Sequence, residues 1–200
     1  MTRGFIGLLT LVLAAGIAAL NWATDGFHVV TTEGARALAV ARHPRALPDT
    51  ALVAKDGRMF SLSDYRGKEV LVDFIYTGCP TICGVLGDDF RSLRGRDGSN
   101  TGLDLLSISF DMANDDREAL DLYAQRFDAK APRWRIARAA RSADLDQLLS
   151  AFGVIVTPDG FGGFVHNDAI YLVDTQGRLA RILAPDALAR YGRGLREAAR

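Results

Sequence analysis

The chain has 200 residues, 48% of them hydrophobic, and its 24 Lys and Arg are balanced by 24 Asp and Glu. That length allows one domain of ordinary size plus an appendage, with enough apolar residues for a real core. The lack of a basic excess or stripe excludes a nucleic-acid binder, and two cysteines four residues apart exclude a disulfide-stapled scaffold.

Residues 1–23 read as a membrane segment. Arg3 supplies positive charge, Phe5 to Leu20 is apolar apart from Thr10, and Trp22 suits an interfacial anchor. An uncleaved anchor is preferred to a cleaved signal peptide, because the small residues around Gly16-Ile17-Ala18 lie inside the apolar run. A helix of a soluble core would show a polar face, and this run shows none. The positive-inside rule places Arg3 in the cytoplasm and everything after Asp25 outside it. Residues 24–47 are expected to be a linker, with a weakly amphipathic stretch from Thr32 to Arg42 and a turn-rich one from His43-Pro44 to Leu47-Pro48. The globular domain is expected over residues 48–200.

Within that domain, Ala51-Leu52-Val53 and Arg58-Met59-Phe60 flank Asp56-Gly57, a hairpin signal. Val70 to Tyr76 is a compact apolar run with one Asp, which predicts a buried strand. Pro80 to Leu93 predicts a helix with Pro in its first turn. Leu103 to Phe110 reads as a second central strand, and Asp115 to Phe127 as a helix with Leu120, Tyr123 and Phe127 on one face. A short strand, Arg133 to Ala137, precedes a helix over Ser142 to Phe152. Thr157 to Val165 carries three glycines and one proline and predicts a mobile loop. Ala169 to Val173 and Arg178 to Leu183 flank Thr175-Gln176-Gly177 as a hairpin, and Asp186 to Ala199 predicts a final, arginine-studded helix. Strands alternating with helices imply an α/β domain with a mainly parallel sheet covered on both faces. The closing hairpin and helix suit a thioredoxin-like fold, preceded by an N-terminal β-hairpin and a single transmembrane helix.

The segment Asp73-Phe-Ile-Tyr-Thr-Gly-Cys79-Pro-Thr-Ile-Cys83 puts Cys-x-x-x-Cys where a buried strand meets a helix. A helix N-terminus favours a thiolate, which improves a cysteine as nucleophile and as metal ligand. Four residues of helix would set the two Cα atoms roughly 6 Å apart, within disulfide range and within reach of one metal ion. The strand-end position is expected to expose the pair. The spacing is not Cys-x-x-Cys, and the cysteines are too few for a Cys₄ zinc site. Two thiolates are soft ligands that favour Cu(I), and an added imidazole would also suit Cu(II). Of the three histidines, His28 and His43 read as surface residues. His166, behind the glycine-rich loop and ahead of a strand, stands as either a structural residue or a ligand.

These residues resemble the Sco/SenC family. The strand and cysteine pair from Asp73 to Cys83 are similar to one signature of that family. His166-Asn-Asp-Ala-Ile-Tyr171-Leu-Val-Asp174-Thr-Gln-Gly177 is similar to a second, and Leu106-Ser-Ile-Ser-Phe-Asp111 to a third. The resemblance covers about residues 47–198. It implies a thioredoxin fold in which Cys79 and Cys83 are thiolate ligands and redox centres and His166 is the third ligand of a single copper ion. It also implies work on the copper site of cytochrome c oxidase, as copper donor, thiol reductant or both, with the oxidase's copper-binding subunit or another copper protein as partner. The domain would then lie on the periplasmic side of the inner membrane. The family's Asp-Pro is replaced here by Asp111-Met112, so Asp111 is read equally as a loop or capping residue. The rival reading is an extracytoplasmic thiol-disulfide oxidoreductase without copper delivery. A thiol peroxidase is a weaker fit, since Thr77-Gly-Cys79 is one residue short of the Thr-x-x-Cys pattern.

Overall fold

The computed structural model describes residues 2–24, 26, 31–79, 82–95, 103–167, 169–188 and 191. The chain begins with helix α1 (Thr2–Ala23), in which Gly4–Trp22 is long and apolar enough to cross a membrane by length and composition. Its one interior hydroxyl, on Thr10, donates back to Ile6 O at 2.9 Å, so the polar group is satisfied within the helix.

Inside the stretch expected to be a linker, Thr32–Arg42 forms helix α2, capped by the Thr31 side chain, which accepts from Gly34 N–H at 3.0 Å. Val40 on this helix is 2% exposed. Strand β1 (Arg45–Ala46) follows, then β2 (Ala51–Ala54) and β3 (Met59–Ser61), which pair antiparallel around Gly57 at φ +82°. Then come β4 (Glu69–Ile75), α3 (Ile82–Gly95), β5 (Leu103–Ser109), α4 (Arg117–Arg126), β6 (Trp134–Ala139) and α5 (Ser142–Phe152). The chain continues through β7 (Val156–Pro158), β8 (Phe164–His166), β9 (Ile170–Val173) and β10 (Arg178–Leu183). Pro185–Ala187 forms one 3₁₀ turn. Most of the helix expected over Asp186 to Ala199 lies outside the described residues.

Eight strands form one sheet in the order β1-β10-β9-β4-β5-β6-β2-β3. Among the described residues parallel pairing is confined to β4, β5 and β6, while both flanks are antiparallel. The sequence predicts a mainly parallel sheet, and the difference has a simple cause. β2–β3 and β9–β10 are hairpins, whose short turns can join only antiparallel neighbours, and each docks on the parallel centre through a strand that runs against it. The strand–helix alternation over a parallel centre, closed by β9–β10, is the thioredoxin-like arrangement expected.

The pleat sorts the core into two layers. Phe74 of β4 packs edge-on against Phe152 of α5 and Tyr171 of β9, so α5 covers that face. On the other face Trp134 meets Phe90 of α3 and Phe127 beyond α4. The approach there is tight: a Cβ at Gly87 of α3 would lie 2.7 Å from the Phe127 ring. Leu120, Tyr123 and Phe127 are all buried, as their helical spacing predicts.

Candidate metal centre

Beyond β4 the chain turns through Tyr76, Thr77 and Gly78 to Cys79, whose N–H donates to Tyr76 O at 3.2 Å. A buried carboxylate fixes this turn. Asp115, 1% exposed, accepts from Thr77 N–H at 2.9 Å, from Thr77 Oγ1 at 2.6 Å and from Ser109 Oγ at 2.5 Å. It thereby ties the cysteine turn to the end of β5. The sequence marks Asp115 only as the start of a helix, whose cap is in fact Asp116, accepting from Ala119 N–H at 2.9 Å. Cys79 is 6% exposed, which corrects the expectation of an exposed strand-end thiol. Cys83 lies on the first turn of α3 as described, and its side chain lies outside the described residues.

The segment expected to be a mobile loop is instead a two-stranded hairpin. β7 and β8 pair with Val156 opposite His166, Thr157 opposite Val165 and Pro158 opposite Phe164. Its turn is built by Asp159, whose Oδ1 accepts from Phe161 N–H at 2.7 Å and Gly163 N–H at 2.9 Å. Gly160 and Gly162 hold φ of +80° and +94°, which side-chain-bearing residues rarely adopt. The glycines therefore serve a tight turn rather than mobility.

The hairpin and the cysteine turn share one aromatic cluster. Phe164 stands edge-on to Tyr76 at 5.2 Å and to Phe110 at 5.5 Å. Tyr76 lies 5.5 Å from Phe110, and the His166 ring lies edge-on to Phe110 at 5.1 Å. The imidazole is half-buried, and its Nε2 is shielded from solvent. Tyr76, three residues before Cys79, thus meets the strand that ends in His166. Among the described residues no three His, Cys, Asp or Glu side chains cluster as a metal site, so Cys79 and His166 are the described members of the expected set. Each offers a donor of a kind that copper takes, a buried thiol and a solvent-shielded imidazole nitrogen.

The other candidates separate cleanly. Asp111 accepts from Ala113 and Asn114 N–H, both at 3.2 Å, and from Asn114 Nδ2 at 2.8 Å, so its carboxylate organises its own loop. His43 is exposed at the end of α2, and His28 lies outside the described residues. Asp73 sits mid-β4, on the face that α3 and α4 cover, opposite Ser107. It is 0% exposed, and burial pushes its carboxyl up to about 7, with Ser107 opposing the shift.

Residues 41–191 match the SCO1/SenC family. The chain belongs to this family. A SCO1 protein homolog from Bacillus subtilis is 27% identical over 130 residues, covering 64% of this chain and 67% of that protein. Among solved structures, Bradyrhizobium japonicum ScoI with copper bound superposes with a TM-score of 0.62 at 22% identity, covering 75% of this chain and 99% of that one. BsSco, a member of the Sco family of cytochrome c oxidase assembly proteins, gives a TM-score of 0.64 at 21% identity, covering 78% and 95%. Both likenesses establish the fold. The family match takes in both halves of the candidate site, from the cysteine turn to the histidine hairpin.

Proposed function

We propose that this SCO1/SenC protein is a membrane-tethered copper carrier that serves the copper site of cytochrome c oxidase or of another copper protein. Cys79, Cys83 and His166 would hold Cu(I) as cargo, the thiolates as soft ligands and the imidazole as the third. The observation that carries the reading is the shared contact at Phe110, which seats the His166 hairpin against the turn that delivers Cys79. The copper-bound state of the Bradyrhizobium relative supports the choice of metal. The α1 span, with Arg3 ahead of it, supports an inner-membrane anchor with the domain on the periplasmic side.

The same cysteines would allow thiol reduction of a partner. A Cys79 thiolate would attack a partner disulfide and release one partner thiolate. Cys83 would then attack the mixed disulfide, leaving a Cys79–Cys83 disulfide and a reduced partner. A sulfur needs access to attack, and Cys79 is 6% exposed. That burial favours metal holding over rapid exchange at this sulfur.

A titration of the full-length protein in detergent, thiols reduced, with Cu(I) against a competing chelator tests the reading. One copper per chain is expected, lost with Cys79→Ser and weakened with His166→Ala. Reactive thiols without copper binding would instead identify a thiol-disulfide oxidoreductase.

A further inference from the structure

The helix that follows the membrane segment and the hairpin that carries His166 meet at one backbone carbonyl. Helix α5 ends at Gly153, which takes a left-handed conformation with φ +67°. The final carbonyls of a helix lack partners within it and need outside donors. Arg36 of α2 supplies them: its Nη1 donates to Phe152 O at 2.9 Å and to Gly153 O at 2.5 Å. Its guanidinium is also bonded to Glu33 and lies 6.0 Å from the centre of the Tyr171 ring. A Cβ at position 153 would meet Arg36 Nη1, so a side chain there would displace the guanidinium as well as strain a backbone held at positive φ.

Gly153 O takes a second donor, Asn167 Nδ2, at 3.0 Å. Asn167 directly follows His166. Its Oδ1 accepts from Ile155 N–H at 2.7 Å, and its own N–H donates to Ile155 O at 3.3 Å. One side chain therefore closes the base of the β7–β8 hairpin and fastens it to the carbonyl that Arg36 grips. The far end of the hairpin rests on Tyr76 and Phe110. A two-stranded hairpin is marginal on its own, so what fixes its base also fixes any side chain it presents.

We propose that Arg36 and Asn167 are positioning residues for His166, holding the base of its hairpin so that the imidazole stays against Phe110 and beside the cysteine turn. The proposal rests on the reading of His166 as a copper ligand. It makes α2, the helix that leads out of the membrane segment, a structural part of the copper site.

Cu(I) affinity of the full-length protein, measured against a competing chelator, tests this with Arg36→Ala and Asn167→Asp. Each is made in the wild-type and His166→Ala backgrounds, with thermal unfolding followed in parallel. Asn167→Asp keeps an acceptor for Ile155 N–H and loses the donor to Gly153 O, so the hairpin turn itself is spared. Each variant should weaken copper binding about tenfold, the lower end of what loss of an outer-shell partner costs. Neither should weaken it further once His166 is already alanine. Equal losses in both backgrounds would mean general loosening of the domain and would overturn the proposal. So would unchanged affinity in both variants while His166→Ala weakens binding. An unchanged affinity in His166→Ala alone would instead overturn the ligand assignment, and the positioning role with it.

Discussion

The cysteine turn and the histidine hairpin face the same aromatic cluster but are anchored differently. The turn grows out of β4, a strand buried from Val70 onward, and Asp115 pins it with three short hydrogen bonds below the surface. The hairpin belongs to its own two-stranded sheet, and its outward residues Ile155, Phe161 and Val165 are 68%, 96% and 65% exposed. It leans on the domain through ring edges at one end and through Asn167 at the other. One half of the site thus inherits the stability of the core, whereas the other depends on a few contacts that can be removed singly. Elements with little burial are the ones that open locally at low cost, so the histidine side is where the site can change without unfolding the domain.

The sharpest way to break this contrast is to weaken the core itself. Trp134 is 1% exposed, packs against Phe90 and donates to Ser107 Oγ at 3.0 Å. Trp134→Ala should cost about 3–5 kcal/mol in denaturant unfolding, since it empties a large buried volume. A second probe is Asp73. Its folded carboxyl titrates near 7, above the ordinary carboxylate range, so the folded state holds a proton that the unfolded chain has already released. The stability tied to this group is therefore full below about pH 4 and falls as pH rises through about 7. Asp73→Asn should gain on wild type by up to roughly 4 kcal/mol between pH 4 and 8. Unfolding midpoints of the two proteins measured across that range would show the gap, and parallel curves would refute it.

Asp115→Ala should come next, at about 2–3 kcal/mol, because it strands the half-buried Thr77 N–H and the buried Ser109 hydroxyl. It should also speed alkylation of Cys79, whereas the histidine hairpin should keep its hydrogen-exchange protection. Phe161→Ser should be the mildest, within about 0.5 kcal/mol of wild type by thermal unfolding, because the ring touches mainly solvent. A larger loss there would mean that the hairpin tip contributes more to the domain than its exposure implies.

The same division governs what the sequence could tell. The buried strand of Val70 to Tyr76, the helix of Ser142 to Phe152 and the apolar face of α4 announce themselves because burial imposes a period on the chain. Strand β1 has two residues, too few for any period. The β7–β8 hairpin hides behind glycines because it forms by docking Phe164 onto Tyr76 and Phe110, which lie more than fifty residues away in the chain. Cys79, Cys83 and His166 stand out by residue type and spacing. Asp115 and Asn167 do not, since an Asp before a helix and an Asn after a strand are commonplace. Their weight comes from the backbone groups they reach, and only the folded chain brings those within range. Thr31 and Asp116 lie between these cases: their caps are legible in principle, but the exact helix starts needed the backbone.

The seating of α2 on the domain also sets a length scale. Only residues 24–31 separate the end of α1 from the start of α2. Eight residues, whatever path they take, span at most about 29 Å. With α1 in a bilayer, the domain would sweep a thin layer over the membrane surface rather than roam the compartment. Its encounters would be governed by lateral diffusion, and on the proposed copper-carrier reading a recipient would have to offer its own ligands within that layer.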